Sequence, residues 1–340
     1  QEEIRVSRSP WFRRLSLIAT LLTLVVVVLG AYVRLSDAGL GCPDWPGCYG
    51  QISVPDAPEE IASANAAYPD RPVEAAKGWK EMVHRYVAGT LGLLVFALAV
   101  LAWRNRREPG QPLAVPLALV AVIVFQALLG MWTVTWKLKP LIVMAHLLGG
   151  LTTLSLLTWQ TLRVFGGAGA LRLPRGWRVA LVAALALLAG QIALGGWTSA
   201  NYAALACNEF PACTPGEVWP EVADFPAGFD PWHGIGPDYE YGTHLSRGAK
   251  VAIHLAHRAG AVVVFLALFG LGLALIRRGG LAAAGGAALA AGVTAQFALG
   301  VSNVLFSLPL GVAVAHNAGA AILLAVLVAL NHFAHPSRLS

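Results

Sequence analysis

The sequence predicts an all-α membrane protein: eight transmembrane helices arranged as two parallel-repeat four-helix bundles, with the N- and C-termini cytoplasmic. Three observations carry this prediction: the composition, the map of charge along the chain, and an internal repeat. The chain has 340 residues, of which 57% are hydrophobic and only 12% charged, and its mean hydropathy is +0.64. A soluble domain carries about 25% charged residues, so an ordinary soluble domain and a disordered chain are both excluded. The net charge of +6 does not imply a nucleic-acid partner. The basic residues lie in short clusters between apolar runs, where the neighbour is membrane lipid.

Eight apolar spans are read at 15–35, 82–103, 113–136, 141–162, 178–199, 251–276, 281–304 and 309–332. Most approach the roughly 20 residues that a helix needs to cross a bilayer. No Asp, Glu, Lys or Arg occurs from Leu281 to Ser337, so the division of the last two spans rests on the Ser-Leu-Pro-Leu-Gly turn at 307–311. The first run is long and residues 32–37 are not a small-residue cleavage site, so span 1 reads as a retained helix rather than a signal peptide. The start at Gln1 without an initiator Met implies that a short piece precedes it.

Alternate connections differ in charge. Arg5, Arg8, Arg13 and Arg14 precede span 1. Arg104, Arg106 and Arg107 lie between spans 2 and 3, and Arg163, Arg172, Arg175 and Arg178 between spans 4 and 5. Arg277 and Arg278 follow span 6, and Arg338 closes the tail. These 14 basic residues face three acids (Glu2, Glu3 and Glu108), which leaves ten basic and 15 acidic residues for the other side. The excess of Arg marks the cytoplasmic side. The two long connections, 36–80 and 200–250, then face outward.

The two halves also match each other. Residues 30–48 align without gaps to 195–213, so that Cys42 falls on Cys207 and Cys48 on Cys213, at an offset of 165. Residues 126–134 align to 296–304 at an offset of 170, which also carries His146 onto His316. The His84-Arg85 dipeptide falls on His257-Arg258 at an offset of 173, and 191–198 is a further copy of a Gln-x-x-Leu-Gly pattern. An even number of spans per copy gives both copies the same orientation, whereas inverted repeats need an odd number. The expected units are residues 1–165 and 166–340, each a four-helix bundle.

Four histidines, His84, His146, His257 and His316, lie near the starts of spans 2, 4, 6 and 8, all at similar depth near the outer face. An ionisable residue inside a membrane segment is a functional candidate. Paired imidazoles on facing helices of a bundle suit haem iron. Zinc would want two further ligands, and no Cys or carboxylate repeats beside these histidines. Gly89, Gly92, Gly149 and Gly150 follow the first two histidines. They leave room for a flat macrocycle or for close helix packing. Arg85 and Arg258 can fork onto haem propionates or meet lipid phosphate.

Taken together, several motifs resemble the haem A synthase family. They are Glu-Met-Val-His-Arg at 81–85, the second His-Arg at 257–258, Met-Ala-His at 144–146, Ala-His-Asn at 315–317 and Gly-Cys-Pro-Asp-Trp-Pro-Gly-Cys at 41–48. The resemblance covers about residues 15–335. It implies an enzyme that oxidises the C8 methyl of haem O to a formyl group, giving haem A for terminal oxidase assembly. It also implies haem b as cofactor in the C-terminal half, with His257 and His316 as iron ligands and Arg258 beside them. His84, His146 and Arg85 would hold the substrate haem O in the N-terminal half. Haem O synthase is a candidate partner, and the implied location is the inner (plasma) membrane. The sequence itself names no electron donor.

The halves differ three positions before each His-Arg pair, where the first has Glu81 and the second His254. Residues at i and i+3 share a helix face, so a carboxylate lies beside one iron site only. Proton handling at a substrate site asks for such a group, and the resemblance gives Glu81 the same catalytic importance. The alternative is an acid favoured by the helix start. His254 either bonds its own haem or is solvated. The cysteines form a Cys-x5-Cys pair in each outward loop, on the side where disulfides are permitted. Each pair is either a staple over the pocket or, through thiol exchange, an entry for electrons. Trp45, Trp219 and Trp232 cover the pockets or sit at the headgroup level.

Two other functions fit part of this pattern. A di-haem b-type electron-transfer protein without substrate chemistry would stack its haems across the bilayer, whereas these histidines cluster on one side. A transporter built from parallel repeats needs a polar path, and the spans hold almost no charge beyond their outer rim.

Overall fold

The computed structural model describes residues 9–166, 168–234 and 245–335. Arg5, Arg8, Glu2, Glu3 and Arg338 of the charge map lie outside them. The described residues form ten helices. Eight are long and apolar enough to cross a membrane: α1 (Pro10–Leu35), α3 (Ala75–Arg104), α4 (Ala114–Thr135), α5 (Pro140–Phe165), α6 (Arg175–Ala200), α8 (Arg247–Ile276), α9 (Gly280–Leu305) and α10 (Leu310–Ala334). Each coincides with one expected span. The short helices α2 (Pro58–Ala67) and α7 (Phe225–Gly228) lie in the two long connections. The protein is therefore a multi-pass membrane protein.

Local chemistry sets the helix ends. Ser9 caps α1 by accepting the Phe12 N–H at 3.4 Å, with Pro10 in the first turn, and Ser246 caps α8 by accepting the Ala249 N–H at 3.1 Å. Between α4 and α5 the chain reverses through Lys137 and Leu138, both at positive φ, and the Leu138 N–H returns to the Thr133 carbonyl at 2.7 Å. The same turn joins α9 to α10, where Ser307 and Leu308 have positive φ and the Leu308 N–H reaches the Asn303 carbonyl at 2.7 Å. The division of the last long apolar run falls at this turn, with Pro309 starting the next helix.

Helices α1, α3, α4 and α5 pack in a closed ring, as do α6, α8, α9 and α10; α1 and α5 meet α10, and α5 also meets α6, along the seam. Leucines dominate both interiors. Leu91, Leu98, Leu119 and Leu157 are buried in the first ring, and Leu181, Leu268, Leu289 and Leu327 in the second. Small polar groups tie helices together inside the apolar packing. Thr20 Oγ1 lies 2.8 Å from Thr161 Oγ1 between α1 and α5, and Asn331 Nδ2 donates to the Leu181 carbonyl at 3.1 Å between α10 and α6.

Helices α8 and α9 approach backbone to backbone at Gly272 and Gly286. A Cβ added at Gly272 would stand 2.8 Å from the Gly286 carbonyl oxygen. Gly272→Val must force the pair apart, and overpacking of this kind costs about 1–3 kcal/mol. A lowered thermal midpoint of the purified protein is the expected result; an unchanged midpoint would show that the crossing has slack.

Candidate functional site

The four histidines stand in the first half of their helices, all at the end of the molecule that carries the cysteine loops. Each ring edge rests on a glycine of the adjacent helix. A Cβ there would stand 3.0 Å from His84 Cε1 at Gly30, 3.3 Å from His146 Cε1 at Gly130, 3.1 Å from His257 Cε1 at Gly195 and 3.2 Å from His316 Cε1 at Gly300. A side chain at any of these positions would press on the imidazole, which would have to give by a few tenths of an ångström. His84 and His146 both line one cavity of about 920 Å³, near the top of the range for small-molecule sites. His257 and His316 lie within electrostatic reach of each other in the second ring.

A set of glutamines, recognised in the sequence only as part of the repeat, grips the backbone at three of the four histidines and reaches the imidazole of two. Gln126, Gln191 and Gln296 each donate from Nε2 to the backbone carbonyl of His146, His257 and His316, at 2.9 Å in every case. Gln191 and Gln296 also reach the imidazole Nδ1 of His257 and His316, at 3.0 and 3.3 Å. Gly149, Gly260 and Gly319, three residues after these histidines, are the positions where a Cβ would strike the glutamine side chains. Gly149 therefore makes room for Gln126. By contrast, a Cβ at Gly89 or Gly92 would meet nothing within 4 Å. The repeated Gln-x-x-Leu-Gly pattern was the available signal for this set. His84 has no such partner, the matching positions being Val26 and Val87; the Nδ1 atoms of both His84 and His146 are buried without a hydrogen bond among the described residues.

Glu81 is buried, 5% exposed, in the second turn of α3. Its Oε2 accepts the Cys42 N–H at 2.9 Å, and its Oε1 pairs with Arg85 Nη2 at 2.5 Å. It is thus engaged on both oxygens and is no exposed helix-start acid. Arg85 also donates from Nη1 to the carbonyls of Asp44 at 3.0 Å, Pro46 at 3.2 Å and Gly47. The second half repeats this clamp with different chemistry. His254 is 4% exposed and accepts the Cys207 N–H at its Nδ1, 3.2 Å away, while Arg258 Nε lies 3.2 Å from its Nε2. Arg258 further donates to the carbonyls of Ala212 (2.9 Å), Cys207 (2.9 Å) and Glu209 (2.7 Å). His254 is therefore a buried loop anchor rather than a solvated group.

Both cysteine pairs, Cys42–Cys48 and Cys207–Cys213, are disulfides, and all four residues are fully buried. Thiol exchange needs access to a sulfur, which this burial denies. Closing so short a ring is worth about 2 kcal/mol on the chain-entropy model. Cys42→Ser should therefore lower thermal stability and activity together; slowed turnover at unchanged stability, with the bound haem retained, would instead identify an electron entry point. Trp45 lines the cavity, Trp219 stacks on Phe225, and Trp232 lies under the Lys139 ammonium.

Further cavity residues come from outside the predicted set. Arg34 lines the cavity, donates to the Ser199 carbonyl at 2.8 Å and lies over the Tyr202 ring, yet its Nε is buried without a partner among the described residues. A lone Arg at the end of an apolar span reads as an interfacial anchor, which is why sequence reasoning passed over it. Gly196, Ser199 and Asn317 of the second ring also reach this cavity. Asn317 directly follows His316, so the two histidine sites adjoin at that point.

The paired imidazoles, the clearing glycines and the roomy apolar cavity fit a bound haem in the first ring. The oriented imidazoles His257 and His316 fit one in the second. A family model described as "Cytochrome oxidase assembly protein" matches residues 13–328. Heme A synthase of Shewanella oneidensis is 46% identical over 329 residues, covering 95% of this chain and 96% of its own. Heme A synthase of Caulobacter vibrioides is 29% identical over 336 residues, 92% of each chain. That of Halalkalibacterium halodurans is 28% identical over 233 residues, 66% of this chain and 71% of its own. With the match running through nearly the whole chain and all eight spanning helices, the protein belongs to the haem A synthase family.

Proposed function

We propose that the protein is an oxidoreductase that converts haem O to haem A for oxidase assembly, with the substrate haem held between His84 and His146 and haem b held between His257 and His316. The observation that carries this reading is the large cavity bordered by His84, His146 and a buried carboxylate, Glu81. Its counterpart in the other half has His254 in place of the carboxylate. The half formed by residues 1–165 is accordingly the substrate half, and that formed by 166–340 the cofactor half. Haem b, when bound, would supply electrons one at a time.

The reaction replaces C–H bonds of the C8 methyl by C–O bonds. With dioxygen as the oxidant, each hydroxylation puts one oxygen atom into a C–H bond and releases the other as water, consuming two electrons and two protons; two such steps give a hydroxymethyl group and then a geminal diol, and loss of water from the diol leaves the aldehyde. Each hydroxylation requires proton movement near the methyl. Glu81 is the ionisable group at hand, held by the Cys42 N–H and Arg85 so that its carboxylate borders the cavity. Arg85, paired with Glu81 and bonded to the carbonyls of Asp44, Pro46 and Gly47, holds the cysteine loop over the cavity and keeps a positive charge beside the carboxylate. Asn317, next to His316 in the chain, stands on the wall of the cavity that holds His84 and His146, so the two histidine pairs are neighbours there. Both pairs lie at the cysteine-loop end, which favours exchange between neighbouring haems over transfer across the bilayer. The charge asymmetry of the connections supports cytoplasmic termini and haem sites near the outer face of the plasma membrane.

The test is to express the chain together with a haem O synthase, extract the haems and separate them. Haem A should appear, and should vanish with His84→Ala. Haem O alone, at unchanged protein level, would refute the reading and favour a di-haem b-type electron carrier.

A further inference from the structure

The two rings differ in how their second and third helices meet. In the second ring, Phe265 of α8 packs on Phe297 of α9 with ring centroids 5.0 Å apart, and Phe269 stacks beside it at 5.4 Å. These aromatics fill the gap between the helices at mid-depth. At the repeat offsets of 173 and 170, Phe265 corresponds to Gly92 of α3 and Phe297 to Ala127 of α4. Two aromatic plugs in one ring are thus a glycine and an alanine in the other.

The consequence is a thin wall. Gly89, Leu93, Phe96, Val124 and Ala127 all line the cavity that holds His84 and His146, and all are exposed. Both helices thus bound the cavity with residues that keep much of their surface uncovered by protein. They are membrane-spanning helices, so the medium beyond this wall is lipid, and the wall itself is hydrocarbon. Leu93 is 74% exposed.

We infer that the cleft between α3 and α4 receives the long isoprenoid chain of haem O, and that Gly92 and Ala127 make the first site selective for haem O where Phe265 and Phe297 exclude that chain from the second. The inference rests on the proposed placement of the substrate between His84 and His146. Haem O differs from haem b in bearing a long farnesyl-derived substituent, which is apolar and too long to fold over the porphyrin without filling the pocket. A slot that starts in the cavity and ends in lipid lets the porphyrin sit between the imidazoles while the chain stays in an apolar medium. Haem b has no such substituent and needs no slot.

The full-length protein in lipid nanodiscs, its second ring already loaded with haem b, is titrated optically with haem O and, separately, with protohaem. The wild type should prefer haem O by at least tenfold. Gly92→Phe with Ala127→Phe should abolish the preference by weakening haem O, leaving protohaem binding as in the wild type. In the reverse direction, Phe265→Gly with Phe297→Ala should let haem O displace haem b from the second ring. A preference that persists in the Gly92→Phe/Ala127→Phe protein overturns the inference. So does an absence of preference in the wild type, or an equal loss of both haems on a chain whose haem b spectrum is intact. If the double variant loses that spectrum through misfolding, Gly92→Val alone is read by the same criteria. His84→Ala separates the two proposals: haem O bound as tightly as in the wild type would refute the substrate placement, whereas loss of haem O there with an unchanged preference in the Phe variant would refute only the slot.

Discussion

Replacing Glu81 by Gln should cut haem A output by at least about tenfold, a floor set somewhat below the roughly hundredfold low end of what a positioned acid–base group contributes, while leaving haem b content unchanged. The substitution keeps size and the ability to accept the Cys42 N–H, and removes the charge and the proton acceptor. It also leaves the Arg85 guanidinium without its carboxylate, and breaking a buried pair typically costs about 3–5 kcal/mol. Here the Arg85 side chain is 12% exposed and keeps three backbone carbonyls as acceptors, so the cost to folding should fall below that range. A second substitution separates catalysis from loop anchoring. Glu81→His copies the other half, where His254 accepts the Cys207 N–H and meets Arg258. That variant should fold, retain haem b and still lose haem A formation. A partly oxidised hydroxymethyl haem should accumulate if the second oxidation is the step affected. Wild-type output from both variants would reduce Glu81 to a loop anchor.

His257→Ala or His316→Ala should each remove the low-spin haem b signal from the purified protein, because each deletes one of the two imidazoles proposed to hold that haem. The glycines against which the rings rest, Gly195 and Gly300, cannot supply a replacement ligand. Gln191 and Gln296 would lose the ring they reach, though their bonds to the backbone carbonyls can persist, so the helices should stay in place. Haem extraction and the optical spectrum of the reduced protein report the outcome. His84→Ala should leave the same signal intact. An unchanged haem b spectrum and content in both His257→Ala and His316→Ala would sink the assignment of the cofactor to the second half.

Much of this protein is legible along the chain because the bilayer imposes its thickness on every span. Eight apolar runs became eight helices within a few residues, and even the charge-free stretch after Leu281 divided at its Ser-Leu-Pro-Leu-Gly turn. The repeat made the pairing of Cys42 with Cys207 and of Glu81 with His254 readable, since duplicated positions carry matching chemistry. Lateral contacts were not readable, because a sequence of apolar letters does not say which helix a side chain faces. That the Gln-x-x-Leu-Gly glutamines grip the histidine backbones emerged only with the helices packed. So did the commitment of Arg85 and Arg258 to loop carbonyls, and the full burial of the four cysteines. The slot proposed between α3 and α4 depends on a single pair of positions, Gly92 with Ala127 against Phe265 with Phe297. The sequence holds those residues plainly, but their meaning arises from distance across two helices, which tertiary packing alone decides.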